Sequence, residues 1–168
     1  GGEQLCTIRG RMDEDLFAKQ LYCLGVTYNT ALIAIEANFS SYPIRELERL
    51  RYPRQYVRQT EDSFTHRIRQ SYGFKTSSVT RPLVIAGLVE VVREHAEWLH
   101  DKDTLNEMLT FVRNENGRPE AQVGAHDDCV MSLAIAYYVR DRVPAAPQES
   151  TPFVSIERRE TPWSPGPL

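Results

Sequence analysis

Ala121-Gln122-Val123-Gly124-Ala125-His126-Asp127-Asp128-Cys129-Val130-Met131-Ser132-Leu133-Ala134-Ile135-Ala136-Tyr137-Tyr138 is the stretch that decides the fold. A short extended segment breaks at Gly124 and two adjacent carboxylates follow. The spacing then predicts a helix apolar on nearly every face, with Val130, Leu133, Ala134, Ile135 and Tyr138 leaving little polar surface. Such a helix is buried, so its first turn is held rigidly. One aspartate there is explained by capping and by the positive end of the helix dipole. The second, beside His126, exceeds what capping requires and points to a cleft at a sheet edge. Taken alone the pair fits a structural and a functional role equally, because short acidic motifs often arise by chance.

Upstream, Pro119 to Val123 and Leu105 to Val112 flank Asn114-Glu115-Asn116-Gly117-Arg118, and Asn-Gly between two such runs predicts a hairpin that delivers the chain to the Asp127-Asp128 helix. Before it, a helix is expected from Thr80, as N-cap with Pro82 in the first turn, to about Leu99, with Val84, Leu88, Val91 and Val92 on its core face. Thr60 to Thr76 is polar and arginine-bearing and reads as a surface loop with one helical turn at most.

Nearer the start, Gln4 to Gly10 alternates loosely and predicts a strand. Asp13 reads as the N-cap of a helix whose Phe17, Leu21 and Leu24 share a face and which Gly25 ends. Ala31-Leu32-Ile33-Ala34-Ile35 is a continuous apolar run of the kind a parallel strand shows when both faces are covered. It ends at Glu36, a carboxylate where open α/β sheets hold their ligands; a solvated strand end explains Glu36 alone equally well. Ile44 to Leu50 reads as a helix and Gln55-Tyr56-Val57 as a strand, completing a β-α-β unit.

The 168 residues amount to about one domain. The formal net charge of −3 excludes a uniformly basic surface, yet seven arginines (45, 49, 51, 54, 58, 67 and 69) fall in one segment and give a locally basic face. Arg54, Arg58, Arg67, Arg69 and Lys75 are the candidates for phosphate contact, against the commoner role of solvated charge. Cys6, Cys23 and Cys129 lack paired spacing, which points to reduced thiols in an intracellular compartment and away from a disulfide framework or zinc site. No stretch is a membrane span or signal peptide. Six of the ten prolines crowd residues 144–168, predicting a tail that is disordered or becomes ordered on a partner. Residues 1–143 form the expected domain.

Glu36 and the Asp127-Asp128 pair can face one cleft in an α/β order. Clustered carboxylates repel, and a hard divalent cation relieves that repulsion. Two such ions about 3.5–4 Å apart would serve phosphodiester hydrolysis.

The sequence resembles the nuclease domain of the large terminase subunit of tailed bacteriophages. The matching segments are Leu32 to Asn38, Tyr72-Gly73-Phe74 with Thr80-Arg81-Pro82, Thr110-Phe111-Val112 followed by Asn116-Gly117-Arg118, and Gly124-Ala125-His126-Asp127-Asp128, from about Leu5 to Val143. The resemblance implies an α/β fold, an RNase H-like mixed sheet flanked by helices. It implies an endonuclease that cuts concatemeric double-stranded DNA during packaging in the bacterial host cytoplasm. It further implies two ions, Mg²⁺ or Mn²⁺, with Glu36 and Asp128 as ligands and Asp127 or His126 binding or orienting the second. The portal protein and small terminase subunit are the implied partners of the full-length protein. Two departures stand out. Ser41 occupies a position where the family often has glycine. The family's first acid lies on opening strands for which this chain has no counterpart, so it is expected to lack its first strands and one catalytic aspartate, and to be inactive as it stands. No G-x-x-x-x-G-K-[ST] loop of the packaging ATPase is present. A non-catalytic DNA-binding or portal-docking module is the alternative, and a resolvase- or integrase-like enzyme fits less well.

Overall fold

The computed structural model describes residues 2–61 and 67–142. Its elements, in chain order, are α1 (Glu14–Thr27), α2 (Tyr42–Arg49), β1 (Val57–Glu61), β2 (Ile68–Tyr72), α3 (Thr80–Glu94), a 3-10 turn (Ala96–Trp98), α4 (Lys102–Leu109), β3 (Phe111–Arg113), β4 (Pro119–Ala121) and α5 (Asp128–Arg140). The fold is mixed α/β, with two small antiparallel sheets, β1-β2 and β3-β4.

The core is built on α3 and α5. Val84, Leu88 and Val91 recur at helical spacing on α3, and Ile85 joins them, facing Val130, Met131, Ala134 and Ile135 of α5; all eight are buried. Each of these side chains except that of Ala134 contributes about 1.5–3 kcal/mol relative to exposure. Val92, expected on the same stripe, is 38% exposed, because it falls beside the face and not on it. Phe74, Leu99, Tyr137 and Val139 close the cluster, and Leu32 and Ala34 pack against it.

α1 and α2 pack separately, around the fully buried Ala18 and Leu47. Gly25 does not end α1, which runs on to Thr27; it is a notch, since a Cβ there would lie 2.1 Å from the Tyr52 hydroxyl. α2 ends in a Schellman turn: Arg51 takes φ +56°, and the Tyr52 amide donates to the Leu47 carbonyl at 2.9 Å.

Four expectations are corrected. Gln4 to Gly10 forms no strand. The segment is tied down by groups that offer no strand edge: the Gln4 amide donates to the Trp98 carbonyl (2.9 Å), its side-chain oxygen accepts from the amides of His100 and Asp101, and the Tyr137 hydroxyl donates to the Gly2 carbonyl (2.8 Å). Leu32 to Glu36 is extended and pairs in parallel, but through two single bridges, Ile33 with Gln55 and Glu36 with Phe74. Each partner segment meets the run once, so no continuous ladder develops. Its other edge, at Leu32, Ala34 and Glu36, makes no backbone hydrogen bond among the described residues.

The third correction concerns Thr60 to Thr76, which is no plain loop: β1 and β2 pair antiparallel from Val57 opposite Tyr72 to Glu61 opposite Ile68. Both faces of this hairpin carry polar side chains, which erased the alternation that marks a half-buried strand. Finally, most of Leu105 to Val112 is helical. Asp101 caps α4, its carboxylate accepting from the Thr104 amide at 2.8 Å, and that local signal outweighs the apolar run. The hairpin survives as the short pair β3-β4, with Gly117 at φ +73° in its turn. Residues 143–168, including the proline-rich tail, lie outside the described residues.

Candidate functional site

The start of α5 is capped from elsewhere in the chain. Asp127 occupies the N-cap position, but its side chain makes no capping bond. Glu107 of α4 does so instead: its Oε2 accepts from the amides of Cys129 (2.7 Å) and Val130 (3.2 Å). Its Oε1 makes no hydrogen bond of good geometry, yet lies 3.0 Å from Arg9 Nη1 as an ion pair. Glu107 is 7% exposed, so a buried carboxylate meets the positive end of a buried helix. Desolvation first, and the Glu107 charge second, push the neighbouring Cys129 thiol up to about 11.

Both aspartates are thereby relieved of side-chain capping. Asp127 Oδ2 instead accepts from Arg81 Nη2 at 2.5 Å, and the same guanidinium reaches the Pro119 carbonyl at 3.4 Å. Arg81 stands in the first turn of α3, so this contact joins α3, β4 and the start of α5. Asp128 is exposed and borders a cavity of about 610 Å³ shared with Cys6, Arg9, Thr104 and Ser132. His126 is exposed.

Glu36 closes the extended run from Leu32. Its backbone pairs with Phe74, whose ring packs edge-on against Tyr138 at 5.6 Å. Tyr138 is ten residues beyond Asp128, about 15 Å along the helix. Among the described residues no three His, Cys, Asp or Glu side chains are grouped so as to hold a metal ion. His126, Asp127 and Asp128 are neighbours in sequence, and the structure sets Arg81 against Asp127.

The cationic candidates divide into two groups. Arg54 donates to the Thr30 carbonyl (3.3 Å), and Arg58 donates to the carbonyls of Tyr72 (2.7 Å) and Gly73 (3.0 Å), so both brace the backbone. Arg67, Arg69 and Lys75 are exposed at β2 and just beyond it. The register sets Arg58 opposite Ser71 and Thr60 opposite Arg69, which gathers two guanidiniums and two hydroxyls on one face of the hairpin. That face offers donors suited to phosphate oxygens.

Sequence reading missed Glu107, Arg9 and the role of Arg81. Their partners are 22, 98 and 46 positions away, and no local spacing reports a contact of that kind. No helix of the described residues is long and apolar enough to cross a membrane. No known protein-family model matches the chain, and no curated protein matches it.

Proposed function

We propose that the chain is a nuclease domain of the phage terminase type, acting on double-stranded DNA. One observation carries the reading: both aspartates at the start of the rigid, buried α5 are free of the side-chain capping duty that would otherwise explain them, because Glu107 performs it. The exposed cations Arg67, Arg69 and Lys75 at β2 and just beyond it support the DNA-binding part. The RNase H-like family assignment rests on the order of the sequence segments named above.

The test is cleavage of linear duplex DNA with Mn²⁺ or Mg²⁺ by the native polypeptide that carries this sequence. Glu36→Ala and Asp128→Ala should each abolish cleavage while leaving the circular dichroism spectrum unchanged. Full activity in either variant removes the nuclease reading.

The exposed cations Arg67, Arg69 and Lys75 favour a second reading, a DNA-binding module without catalysis. It predicts binding that weakens steeply with salt, as phosphate contacts release counterions, with no cleavage product under any divalent condition. Salt-independent binding would exclude it.

A further inference from the structure

Phe39 is 97% exposed, the most exposed aromatic side chain among the described residues, and the backbone is pinned on both sides of it. Before it, the Ala37 amide donates to the Phe74 carbonyl at 2.8 Å. The Asn38 side chain then closes a two-bond ring with Thr76, its Nδ2 donating to the Thr76 carbonyl at 2.7 Å and its Oδ1 accepting from the Thr76 amide at 2.8 Å. After it, Ser40 Oγ accepts from the Tyr42 amide and the Ser41 carbonyl from the Arg45 amide, both at 3.1 Å, where α2 begins. A ring left in water forgoes the gain that burial brings. Held on a fixed backbone, it has little ordering entropy left to lose on binding.

The charge beside the ring is cationic. Residues 37–41 and 73–77, the two segments that the Asn38 ring ties together, carry one charged side chain between them, that of the exposed Lys75. Half-buried Glu36 precedes them and exposed Arg45 follows in the first turn of α2. Phe74 and Thr76 are each bonded across to the segment that bears Phe39, so Lys75 between them stands about one strand spacing, roughly 4.8 Å, from it. An aromatic ring flanked by cations suits a nucleic-acid strand, whose bases offer a flat π face and whose phosphates take the cations. A pocket on a protein would use the ring and leave the cations idle.

Resting on the DNA-binding reading above, we propose that Phe39 is a stacking platform for a base that has left the duplex, with Lys75 and Arg45 on the phosphates of the same strand. The geometry adds a preference to that reading. In an intact duplex a base must be unstacked before it meets the ring, while an unpaired base carries almost none of that cost. Duplex with an unpaired base is therefore the favoured ligand.

The experiment is a fluorescence anisotropy titration of the native polypeptide that carries this sequence against two labelled duplexes of the same sequence, one fully paired and one with a single bulged thymidine. The bulged duplex should bind roughly 5- to 150-fold more tightly, the range for stacking one base on an aromatic ring. Phe39→Ala should erase that preference while leaving the affinity for the paired duplex and the melting temperature unchanged, because the ring is almost wholly in water. Phe39→Tyr keeps a ring and should keep the preference. Lys75→Ala should weaken binding to both duplexes alike and lower the slope of log affinity against log salt by about 0.9. Equal affinity of the unmodified polypeptide for the two duplexes, or a preference that survives Phe39→Ala, overturns the proposal and leaves the DNA-binding reading standing. No binding to either duplex overturns both.

Discussion

Glu107→Ala tests how the start of α5 is held. The substitution removes the acceptor of two amide hydrogen bonds, at 2.7 and 3.2 Å, and strands those N–H groups in a buried turn. Bonds to a charged acceptor are worth about 1.5–3 kcal/mol each, with the longer one at the low end. Loss of the charge opposite the helix dipole adds roughly 0.3–1 kcal/mol. Arg9 contributes little more, because its side chain is 43% exposed and the ion pair is screened. The expected destabilisation is therefore about 3–4 kcal/mol, within the range for removing one member of a buried charged pair, and it corresponds to a fall in melting temperature of roughly 6–16 °C. Urea unfolding followed at 222 nm measures the first number, and hydrogen exchange at the Cys129 and Val130 amides localises it. Glu107→Gln, which keeps an acceptor without the charge, should lose about half as much. Arg9→Ala should lose about 1 kcal/mol or less. A loss under about 1 kcal/mol for Glu107→Ala would refute the capping assignment and return Asp127 and Asp128 to that role.

Gly25→Ala should destabilise the α1–α2 unit, since the added methyl meets the Tyr52 hydroxyl and ring and disturbs the hydrogen bond Tyr52 gives to the Ala31 carbonyl; overpacking of this kind costs about 1–3 kcal/mol, and an unchanged urea midpoint would contradict it. Stability should fall at alkaline pH. The Cys129 thiol, raised to about 11 from an ordinary 9.0, keeps its proton in the native chain after the unfolded chain has released its own, so its contribution is intact below pH 9 and is lost as pH rises toward 11. Burial raises Tyr52, Tyr56 and Tyr137 in the same direction, and Cys129→Ala should make the decline between pH 8 and 11 shallower. At the acid end, the Thr104 hydroxyl first and the Thr104 amide second hold Asp101 below the usual carboxylate range. Its contribution is present above the unfolded value and lost as pH falls through the folded one. Asp101→Ala should thus cost about 1–2 kcal/mol at pH 7, a gap that urea titrations should find closing toward pH 3.

Where residues interact with near neighbours, the sequence alone determined the outcome. The α3 stripe of Val84, Leu88 and Val91, the buried character of α5, the start of α1 after Asp13 and the Asn116-Gly117 turn all follow from periods of three to four residues or from the dihedral freedom of one glycine. The parallel sense of the Ile33 and Glu36 pairings was legible too, in an apolar run without alternation. The β1-β2 hairpin was not, because one face is wholly polar and the few apolar side chains of the other, Val57, Ile68 and Tyr72, are interspersed with polar ones and stay exposed. Nor was the helical start of the Leu105 run, where a cap at Asp101 overrode an apolar pattern. Only the tertiary structure decided who neutralises whom at the start of α5. Asp127 turns to Arg81 and the helix amides turn to Glu107 because, once the chain is packed, a charge is stabilised by whichever opposite charge or dipole lies within about 3 Å, and that distance bears no relation to separation along the chain.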